Sequence, residues 1–371
     1  MSVSQKALGL IFPNMHDAAL PAMTGVRAMG SVPFGGRYRL IDFPLSNMVN
    51  AGISKIGIIT KSRYQSLMDH IGSGKAWDLS RKQEGLYFLP PTDADDAKYA
   101  GRIANLAGIT QFLRNSKEDY VVMSDSYAVG NIDYKKLVKT HIESGADITA
   151  GYTVCALPKT GAHPVLTTNG DGRVIGIAID PPTTADCAVG IGLYVIRKDL
   201  LMRLVSTAQS RSEWSFERDI LQRQVDVLDI RGYEITEYVR IISSLADYFG
   251  ANMELLDAGV RAALFLKKRP IFTKVQDCVP AVYGLDSSVS NSLVADGARI
   301  SGTVKNSIIF RNVVVEKGAT VENCIVMQNT VISKDSQLGY VIVDKASVVK
   351  SGRTLSGHDT YPIYIAKNAI V

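Results

Sequence analysis

The sequence predicts an α/β protein in two parts: a domain built on a mostly parallel sheet, followed by a hexapeptide-repeat parallel β-helix. Three observations carry this. Through the first two thirds of the 371 residues, apolar runs of strand length alternate with helical patterns, which implies a sheet covered on both faces. Beyond Ser290 the texture changes to short apolar pairs punctuated by Gly, Asn, Ser and Asp. In that region the chain repeats against itself, Asn306-Ser307-Ile308-Ile309 returning as Asn323-Cys324-Ile325-Val326 and as Tyr340-Val341-Ile342-Val343, a spacing of 17 residues.

In chain order, residues 7–12, 55–60, 120–124, 147–154 and 190–196 read as strands. Residues 45–51, 103–114, 134–143 and 215–228 read as helices, and a longer helical segment covers 245–265. In such a sheet, ligands bind outside the carboxyl ends of the strands. The segment Lys267-Lys268-Arg269-Pro270 is a basic, proline-terminated break, and the linker is placed at 271–289. Two further columns keep the repeat period, Val304, Val321 and Leu338, and Val315, Ile332 and Val349. Seventeen residues over three faces leave five to six per face, with one apolar residue of each face pointing into a prism. Many hexapeptide prisms are acyltransferases that need a histidine between coils; His358 lies past the repeats, so the region reads as scaffold and association surface.

Composition narrows the function classes. A net charge of +5, with scattered Lys and Arg, lacks the basic stripe of a nucleic-acid binder, and no run approaches the roughly 20 apolar residues of a membrane span. The first residues lack a cleavage site and read as the approach to a strand, so a cytoplasmic location is expected. Four cysteines, 155, 187, 278 and 324, form no CxxC pair and are expected to be reduced and structural. Trp214, Phe216, Tyr248 and Phe249 fall on or beside helical patterns and read as core.

Several stretches resemble one family. The run Val32-Pro33-Phe34-Gly35-Gly36-Arg37-Tyr38-Arg39-Leu40-Ile41-Asp42-Phe43-Pro44-Leu45-Ser46-Asn47, the later Ala251-Asn252-Met253, Ser124-Asp125 and Gly145-Ala146-Asp147-Ile148-Thr149 are similar to the ADP-glucose pyrophosphorylases (glucose-1-phosphate adenylyltransferases). The resemblance covers essentially the whole chain. It implies a Rossmann-like nucleotidyltransferase domain over residues 1–270, the linker, and a left-handed β-helix over 290–371. Active members join ATP and glucose 1-phosphate into ADP-glucose and pyrophosphate. Such a site must grip a triphosphate, neutralise developing charge and hold Mg²⁺.

Measured against the motifs of active members, the site is degenerate. The glycine-rich phosphate turn corresponds to residues 14–20, counted back from Thr24 and Arg27-Ala28; Asn14 and Met15 stand among its lost glycines, Asp17 brings negative charge, and Ala19 replaces the arginine. Met29 stands where a phosphate-touching lysine precedes the PFGG run. Of the two magnesium carboxylates, Asp125 remains as a remnant, while Ile241 occupies its partner's place. The FxEKP motif has become Ile177-Ala178-Ile179-Asp180-Pro181, and the nucleotide loop keeps Gly101 but has Ala104 at its acidic position. Losing one preorganised stabiliser costs on the order of 10²–10³ in rate. The resemblance is therefore to the non-catalytic D-type subunit that accompanies a catalytic subunit in some Gram-positive bacteria. It implies a regulatory role in a hetero-oligomer, a tetramer by the family's pattern, with Mg²⁺ in the catalytic partner and no cofactor for this chain alone. Arg37, Arg39 and Arg63 are expected around a phosphorylated sugar effector. Two rivals stay open: an active adenylyltransferase with a rearranged site, and a stand-alone effector-binding protein.

Overall fold

The computed structural model describes residues 6–61, 63–81, 84–90 and 101–371. Strands β1 (Ala7–Phe12), β2 (Lys55–Ile59), β3 (Gly85–Leu89) and β4 (Tyr120–Asp125) form a parallel block in the order β4-β1-β2-β3. All six residues of β1 are buried, as its unbroken apolar run requires of a strand covered on both faces. Alternate side chains feed two cores. Leu8, Leu10, Val121 and Met123 join one, while Ile11 and Val122 join the other. The first core is covered by α3 (Arg102–Gly108) and α5 (Lys198–Ser210), the second by α1 (Asp42–Asn50), α2 (Gln65–Ile71) and α4 (Tyr134–Ser144).

The other half of the sheet is mixed. Strands β5 (Ile148–Cys155), β6 (Pro164–Thr168), β7 (Val174–Ile179) and β8 (Cys187–Arg197) follow one another, and β8 runs antiparallel to β4, β5 and β6. Strands β7 and β8 both run antiparallel to β6, which lies between them, so the short connection over 180–186 joins two strands that are parallel to each other. Strand β9 (Ile230–Glu234) closes this edge, parallel to β5.

Three helical segments differ in detail from the sequence reading. The 103–114 segment breaks at Ile109 into α3 and Thr110–Arg114. The 215–228 segment is a π-turn over Phe216–Gln222 followed by turns. The 245–265 segment is α6 (Leu245–Met253), a tight turn at Glu254–Leu256, and α7 (Ala258–Leu264), restarted by Asp257, whose carboxylate accepts from Val260 N–H.

Three parallel five-stranded sheets form the left-handed β-helix, and its first strand, Val282–Tyr283, lies within the segment assigned to the linker. The repeat columns are its rungs: Val321 pairs with Val304 and Leu338 on either side, Ile325 with Ile308 and Ile342, Ile332 with Val315 and Val349. Corners recur at the same period in left-handed backbone, at Asn306, Asn323 and Tyr340 and at Asn312, Asn329 and Ala346. The prism does not hang free. Ile308, Ile309 and Val343 share one apolar cluster with Phe34, Phe43, Tyr248 and Leu255 of the first domain, and Arg27 donates two hydrogen bonds to Asp344, at 3.0 and 2.7 Å.

Ala346 is exposed and carries φ +56 where the equivalent corners use asparagine, a residue that tolerates this conformation. Ala346→Asn is expected to stabilise the chain by about 0.5–1 kcal/mol, read from urea midpoints at unchanged slope.

Candidate functional site

The parallel strands end at a cleft. Phe12 and Asp125, paired across β1 and β4, are the last residues of their strands, and a cavity of about 430 Å³ opens beyond them. His16, Gly101, Asp125, Tyr127, Gly192 and Trp214 are among the residues on its walls.

At its floor a guanidinium sits on the surviving carboxylate. Arg102, the first residue of α3, donates from Nη1 and Nη2 to the two oxygens of Asp125, each at 2.9 Å, and both side chains are 1% exposed. The same guanidinium donates from Nε and Nη2 to Glu217 Oε1 at 3.1 and 3.0 Å. Its flat faces meet the rings of Phe12, 4.6 Å away, and Tyr194, 5.4 Å away. His16 Nε2 reaches Asp125 Oδ2 at 3.0 Å, and its ring stacks on Tyr127 at 3.6 Å between centroids.

Local sequence positions each member. Ser215 accepts from Arg218 N–H, and Asp219 accepts from the N–H groups of Trp214 and Ser215; these caps start the π-turn that carries Glu217. Strand β8 shifts register between Gly190 and Leu193, and Gly192, at φ +69, lies against the carboxylate. A Cβ there would stand 2.2 Å from Asp125 Oδ2. Gly101 is required for a reason other than a ligand, because a Cβ would fall 1.9 Å from the Trp214 carbonyl oxygen.

Burial pushes the Asp125 carboxyl up, but Arg102 and then His16 outweigh it and hold the group below its ordinary value. Burial pulls Arg102 down, and Asp125 and Glu217 more than offset this. Burial keeps the Tyr127 and Tyr194 phenols neutral.

Magnesium needs several hard oxygens in near-octahedral order. Here both Asp125 oxygens accept from Arg102, one also meets His16, and Glu217 Oε1 is taken by the same guanidinium. Ile241 lies in a short strand, Val239–Ile241, paired with Ala128–Gly130. Among the described residues no group of three or more His, Cys, Asp or Glu could hold a metal ion. The residues present do not fit the ion.

The turn at 14–20 is folded onto its own side chains. Asp17 accepts from Met29 N–H at 2.7 Å and from Asn14 Nδ2 at 2.9 Å, Thr24 Oγ1 donates to the Asp17 carbonyl, and residues Asp17–Ala19 form a 3₁₀ turn. Burial raises the Asp17 carboxyl above its ordinary value. Met15 is half-buried beside Asn105, Ala19 lines the cavity, and Met29 is buried in the core shared with the β-helix. Phe216, Tyr248 and Phe249 are core residues, whereas Trp214 is half-buried on the cavity wall.

The three arginines assigned to an effector are engaged separately. Arg37 is exposed beside Tyr38, Arg63 donates to the Thr24 carbonyl at 2.9 Å, and Arg39 is bound to Ser66. What gathers at Arg39 is a different set, Arg27 and Lys345 at the seam between domains. Burial, then Arg39 and Arg27, push the Lys345 amine down to about 6, and among the described residues it has no hydrogen bond or ion pair. The sequence reading missed Arg102, His16, Glu217, Gly192 and Lys345. Arg102 alone left a trace, as a charge opening the apolar helix pattern after Gly101.

Comparison with known proteins is consistent with this architecture. A profile described as nucleotidyl transferase matches residues 20–239, and one described as GlmU-like, C-terminal hexapeptide, matches residues 278–361. The glycogen biosynthesis protein GlgD of Bacillus subtilis (strain 168) is 36% identical over 368 residues, spanning 99% of this chain and 97% of its own length. The GlgD protein of Geobacillus stearothermophilus is 35% identical over 85% of this chain and 83% of its own. The glucose-1-phosphate adenylyltransferase of Thermotoga neapolitana is 30% identical over 84% and 75%.

Arg102→Met strands the buried Asp125 carboxylate beside the half-buried Glu217 and should cost about 3–5 kcal/mol in chemical unfolding. The Asp125 contribution, whose folded pKa is depressed, is present at neutral pH and should fade as pH drops below about 4, a loss that Asp125→Asn removes from the pH–stability curve.

Proposed function

This chain belongs to the nucleotidyl transferase family that includes the GlgD proteins and glucose-1-phosphate adenylyltransferases, and on that premise we propose that it serves glycogen biosynthesis as a non-catalytic, regulatory subunit. The observation that carries the reading is the Arg102 guanidinium seated on both oxygens of Asp125. Phosphoryl transfer needs a cation that can shed ligands and bridge phosphate oxygens. A tethered guanidinium with its donors committed to Asp125 and Glu217 does neither. The phosphate turn supports the same reading, since its Asp17 carboxylate points back at Met29 N–H and its glycines are absent.

A subunit of this kind acts through a catalytic partner, here an adenylyltransferase chain of the same family in a hetero-oligomer. One observation also favours effector binding within that assembly. The Lys345 amine, Arg39 and the Asp344-paired Arg27 lie within electrostatic reach of one another at the domain seam, and a sugar phosphate there would draw the proton back onto the amine. Because this seam joins the two domains, an anion bound there would stiffen their relative placement and so reach the partner's site.

The purified chain, given ATP, glucose 1-phosphate and Mg²⁺, should release no pyrophosphate above background, and mixing with a catalytic subunit should change both particle mass and turnover. Turnover by the chain alone at the rate of an active relative would reverse the assignment to an enzyme. A chain that leaves the catalytic subunit's mass and rate untouched would reverse it to a stand-alone binder. Lys345→Gln should leave co-assembly intact and weaken the response of the mixed enzyme to sugar phosphates tenfold or more, read from effector titrations.

A further inference from the structure

Two of the four cysteines, far apart in sequence, are brought face to face by the sheet. Cys155 is the last residue of β5 and Cys187 the first of β8, and the ladder places them directly opposite each other. Four consecutive pairs, from Cys187 with Cys155 to Gly190 with Tyr152, hold this register before the shift at Gly190. Directly opposed residues of an antiparallel pair point to the same face, with Cα atoms about 4.5–5.5 Å apart, inside the range a disulfide spans. Both thiols are half-buried, so a small reagent can reach them from solvent. Cys324 is buried in the β-helix, and Cys278 lies before its first strand.

Burial, then the neighbouring Cys187 and Asp186, push the Cys155 thiol up; burial and Asp186 do the same to Cys187. The pair stands at the ends of two strands whose continuations reach the cleft. The loop after Cys155 carries Gly161 and Ala162 of the cavity wall, and β8 reaches Gly192 against Asp125.

We propose that Cys155 and Cys187 form a reversible oxidation site that closes into an intrachain disulfide on exposure to a low-molecular-weight disulfide. The Cys187 thiolate attacks one sulfur of the small disulfide and expels its first thiolate. The Cys155 thiolate then attacks the Cys187 sulfur of this mixed disulfide and expels the second. Two electrons pass to the small disulfide, and the two thiol protons end on the two small thiols released. The bond ties the start of the 156–163 loop to β8, so oxidation restrains one lip of the cleft. The site depends on the sheet register alone and stands whether or not the chain regulates a partner.

The test is to treat the native full-length chain with oxidised glutathione, alkylate the remaining thiols, digest and map the peptides by mass spectrometry. The expected result is a linked peptide pair carrying Cys155 and Cys187, absent after dithiothreitol, with a higher thermal midpoint for the oxidised chain than for the reduced one. Cys155→Ser should leave Cys187 holding glutathione, and Cys187→Ser should leave Cys155 holding it, each variant showing the wild-type circular dichroism. Glutathione retained separately on both residues of the wild-type chain, no reaction at either, or linkage to Cys278 instead would overturn the proposal.

Discussion

The cleft of this protein is governed by one buried ion pair. Arg102 and Asp125 are removed from water at the carboxyl end of β4, and their contact satisfies two oxygens and two nitrogens in one bidentate geometry. Desolvating such a pair costs about as much as its attraction returns, so its presence says little about stability. What it fixes is exclusivity. With Glu217 on the free edge and aromatic rings beside it, the guanidinium leaves neither Asp125 oxygen free for another cation.

The surroundings follow from that constraint. The π-turn over Phe216–Gln222 delivers Glu217, the register shift in β8 brings Gly192 against the carboxylate, and His16 leans over from the 14–20 turn. The first domain thus keeps the sheet of a nucleotidyltransferase while its charged interior is closed by its own side chains. The second domain is bound to it as one unit. Arg27 and Asp344, buried on opposite sides of the seam, orient the prism, and the shared apolar cluster fastens it.

Much of the fold was legible because its signals are periodic. The strand at Ala7–Phe12 is found where its apolar run stands, and the seventeen-residue columns are the rungs of the prism. Helix α5 was missed although Leu200, Leu201, Leu204, Val205 and Ala208 form an apolar stripe, because its start follows strand β8 without a break residue. In the site, the sequence offers only departures from the motif that it resembles, at residues 14–20, Met29 and Ile241. The cluster itself was not legible, since residues 16, 102, 125, 192 and 217 meet only through the sheet and no local spacing connects them.

The central claim, that a protein cation has taken the seat of a metal ion, is tested most directly by titrating the isolated chain with Mn²⁺ and following free ion by electron paramagnetic resonance. With Asp125 saturated by Arg102 and His16, the free-ion signal should match that of buffer at every addition. Sequestration of one equivalent of Mn²⁺, abolished by Asp125→Asn, would contradict it.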